Sequence, residues 1–202
     1  CALCHMKRML EHTLEPFPLR KHHSIEGNRR LAREKVFQML CAYDIAQVYR
    51  QLHFEHIFYR IFADEHPSEP AQQPSRILRP EEIAELESDI PIRWRQNDVT
   101  YAYRLFEEVL SHRSQCDEHI ERHALNWEFE RIAHLDRQIM RIAITEMLCF
   151  ADIPIKVSIN EALELAKRYS TEKSHAFING ILDATAHDLS ASGAITKPLD
   201  HI

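Results

Sequence analysis

The sequence predicts an all-α protein, and three observations carry that expectation. Glycine is scarce: among 202 residues only Gly27, Gly180 and Gly193 occur. Tight hairpin turns draw on glycine, so a sheet protein of this composition would be short of turns. Apolar residues recur at steps of three and four over several long stretches, the period of an amphipathic helix. Between these stretches lie prolines and small polar residues, which punctuate helices. At 45% apolar and 28% charged residues, the chain suits a globular protein with its own core.

The elements follow in order. Residues 1–27 show no clear period and contain Pro16, Pro18 and Gly27, so an extended, mobile N-terminal arm is expected. Met6 is the expected natural start, with residues 1–5 an addition ahead of it. Asn28 is placed to cap the next helix. From Val36 to Tyr49 only Gln38, Asp44 and Gln47 are strongly polar, so this helix is expected at the centre of the bundle. Phe54, Ile57, Phe58 and Ile61 carry helical spacing through 52–62. Residues 64–79 hold three prolines and read as a loop insertion, and Pro80 suits the start of a short helix over 80–88.

Asp98 is expected to cap a helix over 99–124, whose apolar positions Tyr103, Phe106, Val109 and Leu110 recur at steps of three, three and one. Another helix is expected over 135–150, with Ile139, Ile142, Ala143 and Met147 on one face. Pro154 ends the turn behind it. "SINE", residues 158–161, reads as a Ser-x-x-Glu capping box opening a helix to Tyr169. A last helix is expected over 172–187, in which Gly180 permits close helix approach, and residues 188–202 form a polar, frayed tail. The elements assemble into two packed layers or two small bundles around one core.

Several functions are excluded. Glycine-rich phosphate and dinucleotide loops are impossible with three scattered glycines. There is no nucleophile elbow and no kinase set, and Glu107, Glu108 and Asp117 read as a solvated helix face, so no enzyme is expected. Fourteen histidines raise the question of metal. His53/His56 and His119/His123 have helical spacing, and Cys1-x-x-Cys4-His5 resembles half a zinc motif, yet no second half appears. No metal or cofactor is expected. No apolar run approaches the ~18 residues of a membrane span, and "CALCHMKRML" has no apolar signal core. Five cysteines, an odd number, suit free thiols in a reducing, cytoplasmic setting.

Charge points further. The net charge is −6, but residues 1–40 hold eight Lys or Arg against four Glu, leaving −10 for the rest. A basic arm on an acidic body fits nucleic-acid binding and fits a solvated tail equally. Arg29, Arg30 and Arg33 share one side of a helix's first turn. The helix dipole is positive there and disfavours cations. An incoming phosphate would reverse that sign, meeting free N–H groups and three guanidiniums together. The alternative is that the helix begins later and the arginines are simply solvated.

"LDRQIMRIAITEMLCFADIPIKVSINEALELAKRYSTEKSHAFINGILD", residues 135–183, closely resembles the NusB family of transcription antitermination proteins. The likeness rests on the "R-x-A" helix, "DIPIKVSINE", "ELAK" and "SHAFINGILD", and on "RRLAREKVFQML" near the N-terminus. It is weak between residues 52 and 134, and 1–27 and 64–79 look like additions to the family core. The resemblance implies a NusB-like bundle of two packed helical subdomains over 28–187, without catalysis. It implies binding of single-stranded boxA RNA together with NusE, the small-subunit ribosomal protein, alongside RNA polymerase, NusA and NusG in ribosomal RNA transcription.

By motif, the resemblance assigns Arg29, Arg30 and Arg33 to RNA, with Phe177 an aromatic near the RNA path. Lys173, Ser174 and His175 lie on the same turn as Phe177. Such cationic and aromatic mixtures suit single strands; a core position beside Ile178 and Ile181 suits Phe177 equally. Partner contacts are implied around Cys41, where the family pattern has an aromatic, and at Asp136, the family's acidic position near the NusE-facing surface. Two other readings stand beside this one. NusB-like domains also precede RNA cytosine methyltransferase domains, although only about twenty residues follow the family core here. A purely protein-binding helical module is the other.

Overall fold

The computed structural model describes residues 25–46, 54, 57–58, 92–125 and 127–197. The chain divides into two compact units. In the first, the described residues form one short parallel pair, β1 (Ile25–Glu26) with β2 (Ile92–Arg93), in the register Ile25↔Ile92. The second unit is helical: α1 (Arg29–Ala46), α2 (Gln96–Ser111), α3 (Arg113–His123), α4 (His134–Cys149), α5 (Ile155–Tyr169) and α6 (Glu172–Ala191). A single 3-10 turn, Phe129–Arg131, precedes α4. The all-α expectation holds, with β1 and β2 a small addition that the apolar pattern does not signal. Phe54, Ile57 and Phe58 are helical. Of the arm expected over 1–27, Ile25–Glu26 instead form β1. Residues 1–24, the loop at 64–79, the helix at 80–88 and the end of the tail lie outside the described residues, as do Cys1, Cys4, His5, His53 and His56.

The centre of the helical unit is α4, not the helix opened by Arg29. It touches the five other helices named here; α1 packs with α2 on one side, and α5 packs with α6, with α3 also against α6. From Gln138 to Met147 every residue of α4 is buried, polar ones included. Its polar groups are each met by another element. Gln138 Nε2 donates to Asp44 Oδ2 at 2.6 Å, and Arg141 forks onto Asp117 at 2.7 and 2.8 Å. Thr145 contacts the Cys116 thiol, and Glu146 receives Arg33. Four polar residues inside one helix hide its central place from any reading of apolar period. Asp117 is correspondingly no solvated carboxylate.

Helix boundaries differ from expectation at three places. α2 begins at Gln96, so Asp98 lies buried within its first turn instead of capping it, and the expected 99–124 helix breaks at His112. Tyr103 faces out of that helix's buried side and meets Phe54 edge-on at 5.3 Å. The capping box at 158–161 is not formed. The Pro154 carbonyl already accepts from the N–H groups of Val157 and Ser158, so the helix starts a turn earlier. Ser158 Oγ is then buried without a hydrogen-bond partner. α6 runs on to Ala191 because its stop signal is Gly193. That residue has φ +71°, and the N–H groups of Gly193 and Ala194 return to the carbonyls of Ser190 and Leu189, a Schellman closure.

Gly180 is exposed, and a Cβ there would meet nothing within 4 Å, so it serves no close approach. Gly180→Ala should therefore stabilise the fold by about 0.5–1 kcal/mol through helix propensity alone. Ser158→Ala should be neutral or slightly stabilising, whereas removal of a true cap costs about 1 kcal/mol. Urea unfolding of both variants checks this; a clear destabilisation in either contradicts the placement of these residues.

Candidate nucleic-acid interface

The expected cap forms at the start of α1, where the Leu31 N–H donates to Asn28 Oδ1 at 2.9 Å. Three arginines then stand in or beside the positive end of the helix dipole and need anions. The fold supplies a carboxylate to each. Arg29 Nη1 donates to Asp152 Oδ2 at 3.0 Å, with both side chains exposed. This contact holds the Asp152 carboxyl below its ordinary pKa. Arg30 forks onto Glu161, Nε at 3.1 Å and Nη2 at 2.8 Å, while its side chain stays 65% exposed. The fork geometry makes this the stronger of the two exposed contacts.

Arg33 turns inward. Its Nε donates to Glu146 Oε1 at 2.7 Å, with side chains only 5% and 0% exposed. Its Nη1 lies 3.6 Å from Glu161 Oε2. The Tyr101 hydroxyl donates to the same Glu146 oxygen. Burial, and then Glu146, push that hydroxyl far above its ordinary pKa, so it remains a donor. Burial alone would lower the Arg33 pKa, but Glu146 and Tyr101 outweigh it and keep the guanidinium charged. The guanidiniums of Arg29 and Arg33 lie 5.2 and 5.4 Å from the centre of the Tyr101 ring, within cation–π range.

Arg29, Arg30, Arg33, Asp152 and Glu161 line an open cleft of about 510 Å³, completed by Asn28, Ile153, Pro154 and Val157. It lies where the N-termini of α1 and α5 meet, and α5 has no side-chain cap of its own. Two helix N-termini favour an anion. The carboxylates of Asp152 and Glu161 already serve as anions there. A phosphate entering the cleft has to take Arg29 and Arg30 from them; Arg33 also lines the cleft, but its side chain is only 5% exposed and its Nε is held by Glu146.

The second group of expected residues opens α6. Lys173 is exposed, and Ser174 and His175 are half-buried. Ser174 is engaged in capping: its N–H donates to Thr171 Oγ1 at 3.2 Å and the two hydroxyls are 2.9 Å apart. Phe177 is half-buried, packing on the core from one side. Its other neighbour is Trp127, 57% exposed, with ring centres 5.7 Å apart at 57°. Sequence reasoning misses Trp127, whose only signal is an aromatic in a polar turn. Glu164 connects the groups, since Arg30 and His175 both help to hold its carboxyl low, after its main contact with Lys167.

The two expected partner positions are less open than a docking surface needs. Asp136 is 4% exposed and accepts from Ser170 Oγ at 2.5 Å, tying α4 to the α5–α6 junction. Cys41 is half-buried, and burial followed by Asp44 pushes its thiol up to about 11.

A family model described as "NusB family" matches residues 30–187. The transcription antitermination protein NusB of Chloroherpeton thalassium is 50% identical over 97 residues, 48% of this chain and 46% of that protein. The chain thus spans about half the length of that curated relative. The structure of T. maritima NusB superposes with a TM-score of 0.52 at 30% identity, covering 81% of this chain and 94% of the other. The structure of antitermination factors NusB and NusE in complex with double-stranded RNA shares the fold, with a TM-score of 0.54 at 19% identity over 79% of this chain and 96% of that one.

The three arginines are not equivalent. Arg33→Ala strands the buried Glu146 charge and should destabilise the fold by about 3–5 kcal/mol. Arg29→Ala and Arg30→Ala, at exposed pairs, should each cost at most about 1 kcal/mol. Urea denaturation of the three single variants measures the difference; equal destabilisation would contradict this division.

Proposed function

This chain belongs to the NusB family, and from that premise we propose that it is a non-catalytic RNA-binding factor in transcription antitermination. It holds boxA-type single-stranded RNA together with NusE and acts in the cytoplasm on the RNA polymerase complex with NusA and NusG. The observation that carries the RNA reading is the pair of exposed arginines, Arg29 and Arg30, set at the meeting of two helix N-termini. The fold neighbour solved with NusE and double-stranded RNA supports RNA and NusE as ligand classes, and the single-stranded boxA form is part of the proposal. Among the described residues, no helix is long and apolar enough to cross a membrane.

In this reading Arg29 and Arg30 contact phosphates, Lys173 extends the cationic path along α6, and His175 offers a ring hydrogen bond beside it. Phe177 and Trp127 offer faces on which unpaired bases stack. Ser174 orients the first turn of α6 through its cap, and Arg33 acts indirectly, by holding α1 in place. Cys41 and Asp136 sit beneath the NusE-facing surface and shape it. Binding is an exchange: phosphate replaces Asp152 and Glu161 on the two outer arginines. Affinity is therefore set by a difference between two anions, and salt weakens it through counterion release.

Fluorescence anisotropy with a boxA RNA and a scrambled control, with and without NusE, tests the proposal. The wild type should prefer boxA and bind more tightly with NusE. Arg29→Ala/Arg30→Ala should bind more weakly, with the salt slope reduced by about 0.7 for each phosphate no longer neutralised. Glu161→Gln should bind RNA more tightly than wild type, because it frees Arg30. RNA binding unchanged in the double arginine variant refutes the assignment of this cleft, and equal affinity for boxA and scrambled RNA refutes the boxA role.

A further inference from the structure

At the opposite end of α4 from the partners of Asp136, three metal-binding side chain types converge. His112 joins α2 to α3, Glu108 stands one turn before it, and Cys149 is the last residue of α4. One ligand atom from each lies within 4.8 Å of the other two, and all three residues are half-buried. Cys149 Sγ is 3.9 Å from both ring nitrogens of His112. Glu108 Oε2 is 3.3 Å from His112 Nδ1. A tetrahedral zinc ion, about 2.3 Å from sulfur and about 2.1 Å from nitrogen and oxygen, separates its ligand atoms by about 3.4–3.6 Å. The two spacings to His112 differ from these by only a few tenths of an ångström. The Glu108 and Cys149 ligand atoms lie within 4.8 Å of each other. An ion bound through Nδ1 would displace its 3.0 Å contact with the Glu108 carbonyl.

The negative partial charge at the carbonyl end of α4 is already met by Arg104 Nη2 on the Cys149 carbonyl at 2.6 Å and Lys197 Nζ on that of Glu146 at 2.7 Å, so a cation is favoured only by the three ligand types and their spacing. Thiolate and imidazole select zinc over magnesium or calcium, which prefer all-oxygen sites.

We propose that Glu108, His112 and Cys149 bind one divalent cation of the zinc class, which ties the bend between α2 and α3 to the end of α4. The site is independent of the RNA reading and is measured without RNA.

The test uses the full chain, reduced and stripped of metal, titrated with Zn²⁺ against a chromophoric chelator and with Co²⁺ alone. One equivalent should bind, and Co²⁺ should give the thiolate-to-cobalt charge-transfer band. Both should survive in Cys1→Ala/Cys4→Ala/His5→Ala, which removes the N-terminal cluster. Cys149→Ser should abolish the band. Cys149→Ser and His112→Asn should each weaken Zn²⁺ by more than about 100-fold, beyond the usual effect of outer-sphere partners. Added Zn²⁺ should also protect Cys149 of the wild type from alkylation, a readout that needs no variant to fold. A band retained in Cys149→Ser, Zn²⁺ affinity equal in wild type and Cys149→Ser, or no protection of Cys149 overturns the proposal.

Discussion

Glu146 lies in the middle of α4 with its side chain fully buried, and its charge has to be met from within the protein. Arg33 from α1 and Tyr101 from α2 converge on one of its oxygens, and the other has no hydrogen-bond partner. An isolated carboxylate at that depth would cost several kcal/mol. The pairing therefore dictates where α1 and α2 sit on α4. Arg33 also reaches toward Glu161, which brings in α5. Four helices are thus referred to one buried charge, and Arg33, which holds it, lines the cleft that also carries the two exposed arginines.

That arrangement divides the arginines by role. A cation in a helix's first turn is opposed by the dipole, and each of the three is steadied by a carboxylate from a different place in the chain. The inner pair is structural. The outer pairs are exposed to solvent, where such contacts contribute little to stability, so exchanging them for another anion costs the fold little. The proposed RNA role uses this asymmetry: a rigid base under a rim of exchangeable charges. Asp152 and Glu161 then moderate affinity for any anion, and they come from the stretch that carries the family likeness.

Much of the architecture is legible in the sequence, and the failures have physical causes. The scarcity of glycine and the helical periods identify an all-α fold, and Asn28 caps α1 as expected. The central helix is misplaced by its pattern because the polar residues of α4 look like a solvent face until Asp44, Asp117, Cys116 and Arg33 are seen to meet them. "SINE" satisfies the capping pattern, but Pro154 ahead of it starts the helix first and leaves Glu161 for Arg30. The first-turn cluster is visible as charge. Its counter-charges are not, since they lie 113 to 131 residues away in sequence.

The sequence by itself determined the helical class, the Asn28 cap, and the family pattern of residues 135–183. These are local properties, fixed by backbone preference and side chains within one or two turns of each other. Only the tertiary structure decided which arginine is buried, which carboxylate opposes each, and which helix is central. A charge in a helix's first turn is compatible with water, with phosphate or with a distant carboxylate. Which of these it meets depends on desolvation and packing across helices, and no run of neighbouring residues encodes that choice.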